Sequence, residues 1–292
     1  MNELVRMISE DGTLYALAIN STEMVTEMHK IHNTSKVCSA ALGRLLTGAS
    51  MMGILLKGKK DTLTLKMNGG GPASPVVAVA NSDGMVKGYV GDNRVDLPLN
   101  SKGKLDVAGA VGTEGFLTVI KDLGLKEPYC AQIPLVSGEV AEDLTAYYFT
   151  SEQTPTVCGL GVLVNPETED ILLSGGFLIQ LLPTADDKTI DLVEEGLKNI
   201  KPVTTMLAEG MTPEDICKAV LPKFQMQLLD RSNTEYECDC SRDRVTKALI
   251  SAGKDGLLEM AEDEETEAVC HFCNKKYVFK KDEILNLLKD AE

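Results

Sequence analysis

The chain has 292 residues, 43% hydrophobic and 25% charged, with 29 basic against 44 acidic side chains and a net charge of −15. That length is enough for two domains with a proper apolar core, so folding does not require disulfide staples. The acidic balance excludes nucleic acid as a default partner, since only a local basic patch could offset repulsion from a phosphate backbone.

In chain order, LVRMI and LYALAI flank SEDGT, and Asp11-Gly12 supplies the turn chemistry of an opening β-hairpin. The start MNELVRMISEDGT lacks the charged, apolar and small-residue sections of a secretion signal, which points to the cytosol. From Ser21 to Leu56 the apolar spacing turns helical, with Met24, Val25 and Met28 in one helix and Ala41, Leu45, Leu46 and Met52 in a second. Within the second, LLTGASMMGILL is 12 residues long. That is well short of the ~20 a bilayer requires, so no membrane span is expected and a buried helix is.

DTLTLKM alternates with period two, NGGGP interrupts it, and VVAVA-NSDG-MVKGYV reads as a second hairpin about Asp83-Gly84. NGGGP lacks the lysine and hydroxyl residue of a phosphate loop and is read as a tight turn or strand bend. Further strands are predicted at FLTVIKDL, CAQIPLV, CGLGVLV and DILLSGGFLIQLL, with a helix in EVAEDLTAYYFTSEQTP.

The composition changes at Pro183. Thr184 and Asp187 predict a capping box for a helix bearing Ile190, Val193, Leu197 and Ile200, and Thr212-Pro213-Glu214-Asp215 starts another. Gly196, Pro202, Gly210 and Pro222 punctuate these narrow apolar faces, so the segment predicts a marginal linker that folds by docking. The last region holds two short helical stretches, the acidic run EDEETE, and a strand and helix in YVFKKDEILNLLKDAE. It has little to bury, a size at which metals often supplement the core. The fold class is therefore α+β. A mixed α/β domain with hairpin-rich sheets packed with helices spans 1–183, a helical linker 184–232, and a small C-terminal zinc-binding domain 233–292.

Four of the eight cysteines lie in that last region, as ECDC and, after 29 intervening residues, CHFC. Zn²⁺ favours four soft ligands in a tetrahedron, and two short pairs supply Cys238, Cys240, Cys270 and Cys273. A permanent structural zinc ribbon is one reading. A switch is the other: thiolates are what oxidants attack, and a disulfide across C-x-C closes a small, strained and easily reduced ring. His271 is expected beside the site, not in it. Cys38, Cys130, Cys158 and Cys217 are expected as buried inert thiols, and His29 and His32 as helix-surface residues. No catalytic constellation is found.

The C-x-C and C-x-x-C pairs, behind a domain carrying NGGGP, GYVGD, TSEQTP and SGGFLIQLLP, resemble the redox-regulated heat-shock protein 33 family of 33 kDa chaperonins along essentially the whole chain. The resemblance implies an ATP-independent holdase, not an enzyme, inactive when reduced and bound to one Zn²⁺. It implies disulfides pairing Cys238 with Cys240 and Cys270 with Cys273, zinc release, and loss of order in the C-terminal domain and linker. The implied partners are unfolding client proteins, a second copy when oxidised, and downstream ATP-driven foldases, with neither nucleic acid nor membrane. Two other classes remain. A thiol oxidoreductase would place C-x-x-C at a helix start, and a zinc-ribbon nucleic-acid module would want a basic face, whereas the last 60 residues hold 15 acids against 9 bases.

Overall fold

The computed structural model describes residues 2–289. They divide into two compact units, one ending at Glu237 and one beginning at Cys238. In the first, strands β1 (Glu3–Ser9) and β2 (Leu14–Asn20) form the opening hairpin, with Gly12 at φ +67° in its turn. Helices α1 (Thr22–His32) and α2 (Lys36–Gly53) follow. The Ser35 hydroxyl caps α2 by accepting from the Cys38 N–H at 3.4 Å. Nearly every α2 side chain is buried, because the helix packs between two sheets and must be apolar on all sides. No helix of the described residues is long and apolar enough to cross a membrane.

Strands β3 (Thr62–Gly70), β4 (Val76–Asn81) and β5 (Val86–Val90) begin one antiparallel sheet. A short helix, α3 (Val107–Val111), leads into β6 (Gly112–Asp122) and β7 (Tyr129–Pro134), giving the order β5-β4-β3-β6-β7. NGGGP bends this sheet: the β3–β6 register shifts at Asn68/Gly69 and again at Gly69/Gly70. A Cβ on Gly69 would lie 2.0 Å from the Gly112 carbonyl oxygen, so the two backbones meet where no side chain fits.

Helix α4 (Ala141–Thr150) precedes β8 (Thr156–Val164) and β9 (Ile171–Leu181). Helices α5 (Asp187–Leu197), α6 (Val203–Ala208) and α7 (Pro213–Val220) come next, then strand β10 (Met226–Asn233). The second antiparallel sheet runs β10-β1-β2-β9-β8. Leu17, Ile19 and Leu178 face α2 from one side of it, whereas Ala16, Ala18, Phe177 and Ile179 meet Val193, Val203, Met206, Ile216 and Val220 of α5–α7 on the other. Both faces are covered, so β2 and β9 read as continuous apolar runs.

The segment read as a helical linker thus ends in a strand, since β10 completes its hydrogen bonding antiparallel to β1, with Asp230 paired to Arg6. The cap of α5 also differs from expectation. Asp186 accepts from the Thr189 N–H at 2.9 Å, while Thr184 is diverted to the Gly12 carbonyl at 2.7 Å. Thr212 and Asp215 do form a capping box on α7.

His29 and His32 are not the surface groups expected. His29 is half-buried with Nδ1 3.2 Å from the hydroxyls of Thr34 and Ser39, and His32 is buried with Nε2 3.0 Å from the Tyr236 hydroxyl. That hydroxyl also donates to the Gly88 carbonyl (2.8 Å) and accepts from the Gly88 N–H (3.2 Å). Val86 and Tyr236 form a parallel bridge, in which the Val86 N–H donates to Glu235 O (2.9 Å) and Val86 O accepts from the Glu237 N–H (2.8 Å), so residues 235–237 lie as a short strap along β5. Tyr236→Phe removes every one of these hydroxyl contacts and should lower the stability of the first unit by about 1–3 kcal/mol in urea unfolding. An unchanged midpoint would mean that the strap bears no load.

Candidate metal centre

The second unit starts at the first cysteine pair. It continues through α8 (Arg242–Ile250), α9 (Gly253–Met260), the hairpin β11 (Glu265–Val269) and β12 (Lys276–Lys280), and α10 (Lys281–Leu287). Strand β11 lies in the acidic run. Glu265, Glu267 and Val269 face solvent while Thr266 and Ala268 sit opposite buried Phe279 and Tyr277. This period-two alternation was present in the sequence beneath the charge. The buried core is small: Leu249, Leu257, Ala261, Tyr277, Phe279 and Ile284.

The cysteines are placed by backbone geometry. Cys270 follows β11 into a tight knuckle in which its N–H donates to Lys275 O (3.0 Å) and its carbonyl accepts from the Asn274 N–H (2.8 Å). Asn274, at φ +57°, takes the left-handed conformation such a turn requires. The C-x-C pair lies on a segment without regular secondary structure. Asp239 between the two thiols forms an ion pair with Arg244, and Ser241 caps α8 by accepting from the Arg244 N–H at 3.2 Å. Arg242 fastens that helix to the hairpin by donating to Val278 O (2.9 Å), pairing with Glu283 (2.8 Å) and lying 4.2 Å over the Phe279 ring.

All four sulfurs, of Cys238, Cys240, Cys270 and Cys273, lie within 4.8 Å of one another. Cys238 and Cys270 are 3.7 Å apart and Cys240 and Cys273 3.4 Å, and all eight cysteines of the chain are free thiols. Zinc–sulfur bonds of about 2.3 Å place tetrahedral neighbours about 3.8 Å apart, so the cluster has the dimensions of a metal site and could hold such an ion. His271 is exposed and outside the cluster. The Tyr277 hydroxyl donates to Cys240 Sγ at 3.1 Å. Partial burial opposes ionisation of Cys240, but hydrogen bonds from Tyr277 and the neighbouring thiols outweigh it and bring the pKa down to about 7. Burial is the main cause that moves Cys238 and Cys273 the other way.

Of the remaining cysteines, Cys38 and Cys217 are buried and Cys158 half-buried. Burial pushes the Cys217 thiol up to about 12. Cys130 contradicts the expectation of a buried thiol. It is exposed, because β7 is an edge strand whose outer face nothing covers among the described residues.

Fold and site together define an α+β protein with a separate small unit built around four metal-ready thiols. Comparison with known proteins agrees along the chain. Residues 2–280 match the family described as Hsp33 protein. A 33 kDa chaperonin of Thermoanaerobacter sp. strain X514 is 47% identical over 290 residues, covering 99% of this chain and 98% of its own. One of Clostridium beijerinckii is 46% identical over 291 residues, covering 99% of each. The crystal structure of a 33 kDa chaperonin from Thermotoga maritima superposes with a TM-score of 0.90 at 36% identity, covering 99% of this chain and 98% of that one. The chain belongs to the Hsp33 family, a family of chaperones.

Proposed function

We propose that this protein is a redox-regulated, ATP-independent holdase of the cytoplasm, whose four-thiol cluster holds one zinc ion when reduced. The clustering of four sulfurs at tetrahedral spacing carries the reading. Zinc, when bound, holds these thiols as thiolates and ties the two halves of the small unit together. Under oxidation, Cys238 pairs with Cys240 and Cys270 with Cys273. Forming each disulfide takes two electrons from a pair of thiolates, and with two protons from solvent these reduce one hydrogen peroxide to two waters. No thiolate then remains to bind metal.

The segment 184–232 acts as the second element of the switch. Its helices are short, and they cover one apolar face of a sheet through Val193, Val203, Met206, Ile216 and Val220. Loss of order in this segment frees apolar surface that binds unfolding clients. The oxidised protein works as a homodimer and passes clients to ATP-driven foldases.

The test follows zinc content, disulfide pairing by mass spectrometry, and suppression of client aggregation through one peroxide titration. Zinc release, the two sequence-adjacent bonds and suppression should rise together. Full suppression with zinc still bound, or zinc loss without suppression, overturns the coupling. Disulfides between Cys238 and Cys270 would overturn the pairing alone.

A further inference from the structure

A cavity of ≈ 830 Å³ in the first unit is lined by Leu160, Val162 and Leu163 of β8, by Lys36 and Arg44 from the α2 side, and by Thr204 and Thr205 of α6. Helices α2 and α6 lie on opposite faces of the sheet, and β8 is its edge strand. A cavity that touches both faces and the edge strand lies off the edge. Its far wall is the loop carrying Leu97, Leu99, Lys104 and Leu105.

The β8 backbone is open toward this cavity. The Leu181 N–H donates to Pro155 O at 3.0 Å, and Pro155 stands opposite Leu181 in the β8–β9 register. Alternation along an antiparallel ladder then turns the backbone groups of Gly159, Gly161 and Leu163 toward β9 and those of Leu160 and Val162 away from it. The strand itself, TVCGLGVLV, carries no charge of the kind that usually guards an exposed edge.

The walls combine apolar side chains with three cations against a single acid, Asp96. Lys36 and Lys104 have no carboxylate partner among the described residues; Arg44 pairs with Glu139 at 2.6 Å through Nη1, which leaves its buried Nε without an acceptor. In a chain of net charge −15 this is a local reversal of sign.

We propose that this groove receives an extended segment of client polypeptide, with acidic and apolar side chains in alternation, as a strand added to β8. Main-chain hydrogen bonds to Leu160 and Val162 supply sequence-tolerant affinity, and the cations select acidic side chains on alternate positions. The assignment rests on the holdase reading, because it names where a client binds.

The test uses full-length protein, reduced and peroxide-treated, and a short fluorescein-labelled peptide of alternating glutamate and valine, followed by anisotropy. Val162→Pro removes an outward N–H without breaking the ladder, which an edge strand tolerates. It should weaken peptide binding and aggregation suppression by about tenfold, the loss expected for one or two main-chain hydrogen bonds. The double variant Lys36→Glu/Lys104→Glu should lose the glutamate peptide and gain its lysine counterpart. Wild type binding both peptides equally, or a natively folded V162P variant binding as tightly as wild type, overturns the site. Loss of a dimer in V162P with peptide binding unaffected would assign the groove to a second copy instead. Peptide binding lost while suppression persists would overturn the client assignment and leave the holdase reading intact. Failure of wild type to suppress aggregation would overturn the holdase reading, with the peptide measurements still deciding the groove.

Discussion

Stripping the proposed zinc ion with a strong chelator under reducing conditions will unfold the second unit and leave the first folded. Among the described residues the small unit buries six apolar side chains, and its four thiols come from two segments that no disulfide joins. Zinc binding contributes on the order of 10–16 kcal/mol to folding of small metal domains, more than the few kcal/mol such a core supplies. Amide exchange reads the outcome directly. Protection should vanish in β11 and β12 and persist in α2 and β9. Protection of β11 and β12 that survives chelation would show that Tyr277, Phe279 and Ile284 suffice without metal. Cys273→Ser should reproduce part of the loss, because it removes one of the four proposed ligands.

The second large effect lies in the first unit. Gly112→Ala should cost about 4 kcal/mol in urea unfolding. Two terms combine: a backbone at φ 80°, ψ 164°, a region of about 1–3 kcal/mol strain for side-chain-bearing residues, and overpacking of about 1–3 kcal/mol. The overpacking is severe because the new Cβ would lie 2.2 Å from the Gly69 carbonyl oxygen, a backbone atom that has no rotamer to escape into. Gly124→Ala is the control. It shares a positive φ, of 69°, but has nothing within 4 Å, so it should cost about 1 kcal/mol. Equal losses in the two variants would show that conformation alone, and not the crossing of β3 and β6, requires glycine.

The elements whose signals are local were legible in the sequence. Asp11-Gly12 and Asp83-Gly84 marked their hairpins, the uncharged run after Arg44 marked a buried helix, and the two cysteine pairs marked the thiol cluster. Elements decided by distant partners were not. MQLLDRSN becomes β10 only because β1 offers an open edge, and the cap falls to Asp186 because α5 begins at Asp187, which leaves the Thr184 hydroxyl to donate to the Gly12 carbonyl far away in sequence. His32 reads as a surface residue on α1 until Tyr236 closes over it. Strand order, which leaves β7 and β8 as edges and so exposes Cys130, likewise cannot be read from hairpins taken one at a time.

The pairing of β1 with β10 has a consequence for synthesis. More than two hundred residues separate the end of β1 from the start of β10. At roughly 5–20 residues per second, the free side of β1 waits on the order of 10–40 s for its neighbour. Throughout that interval the nascent sheet carries an open edge of the kind that templates aggregation. A protein proposed to shield unfolding chains therefore emerges from the ribosome as one of them.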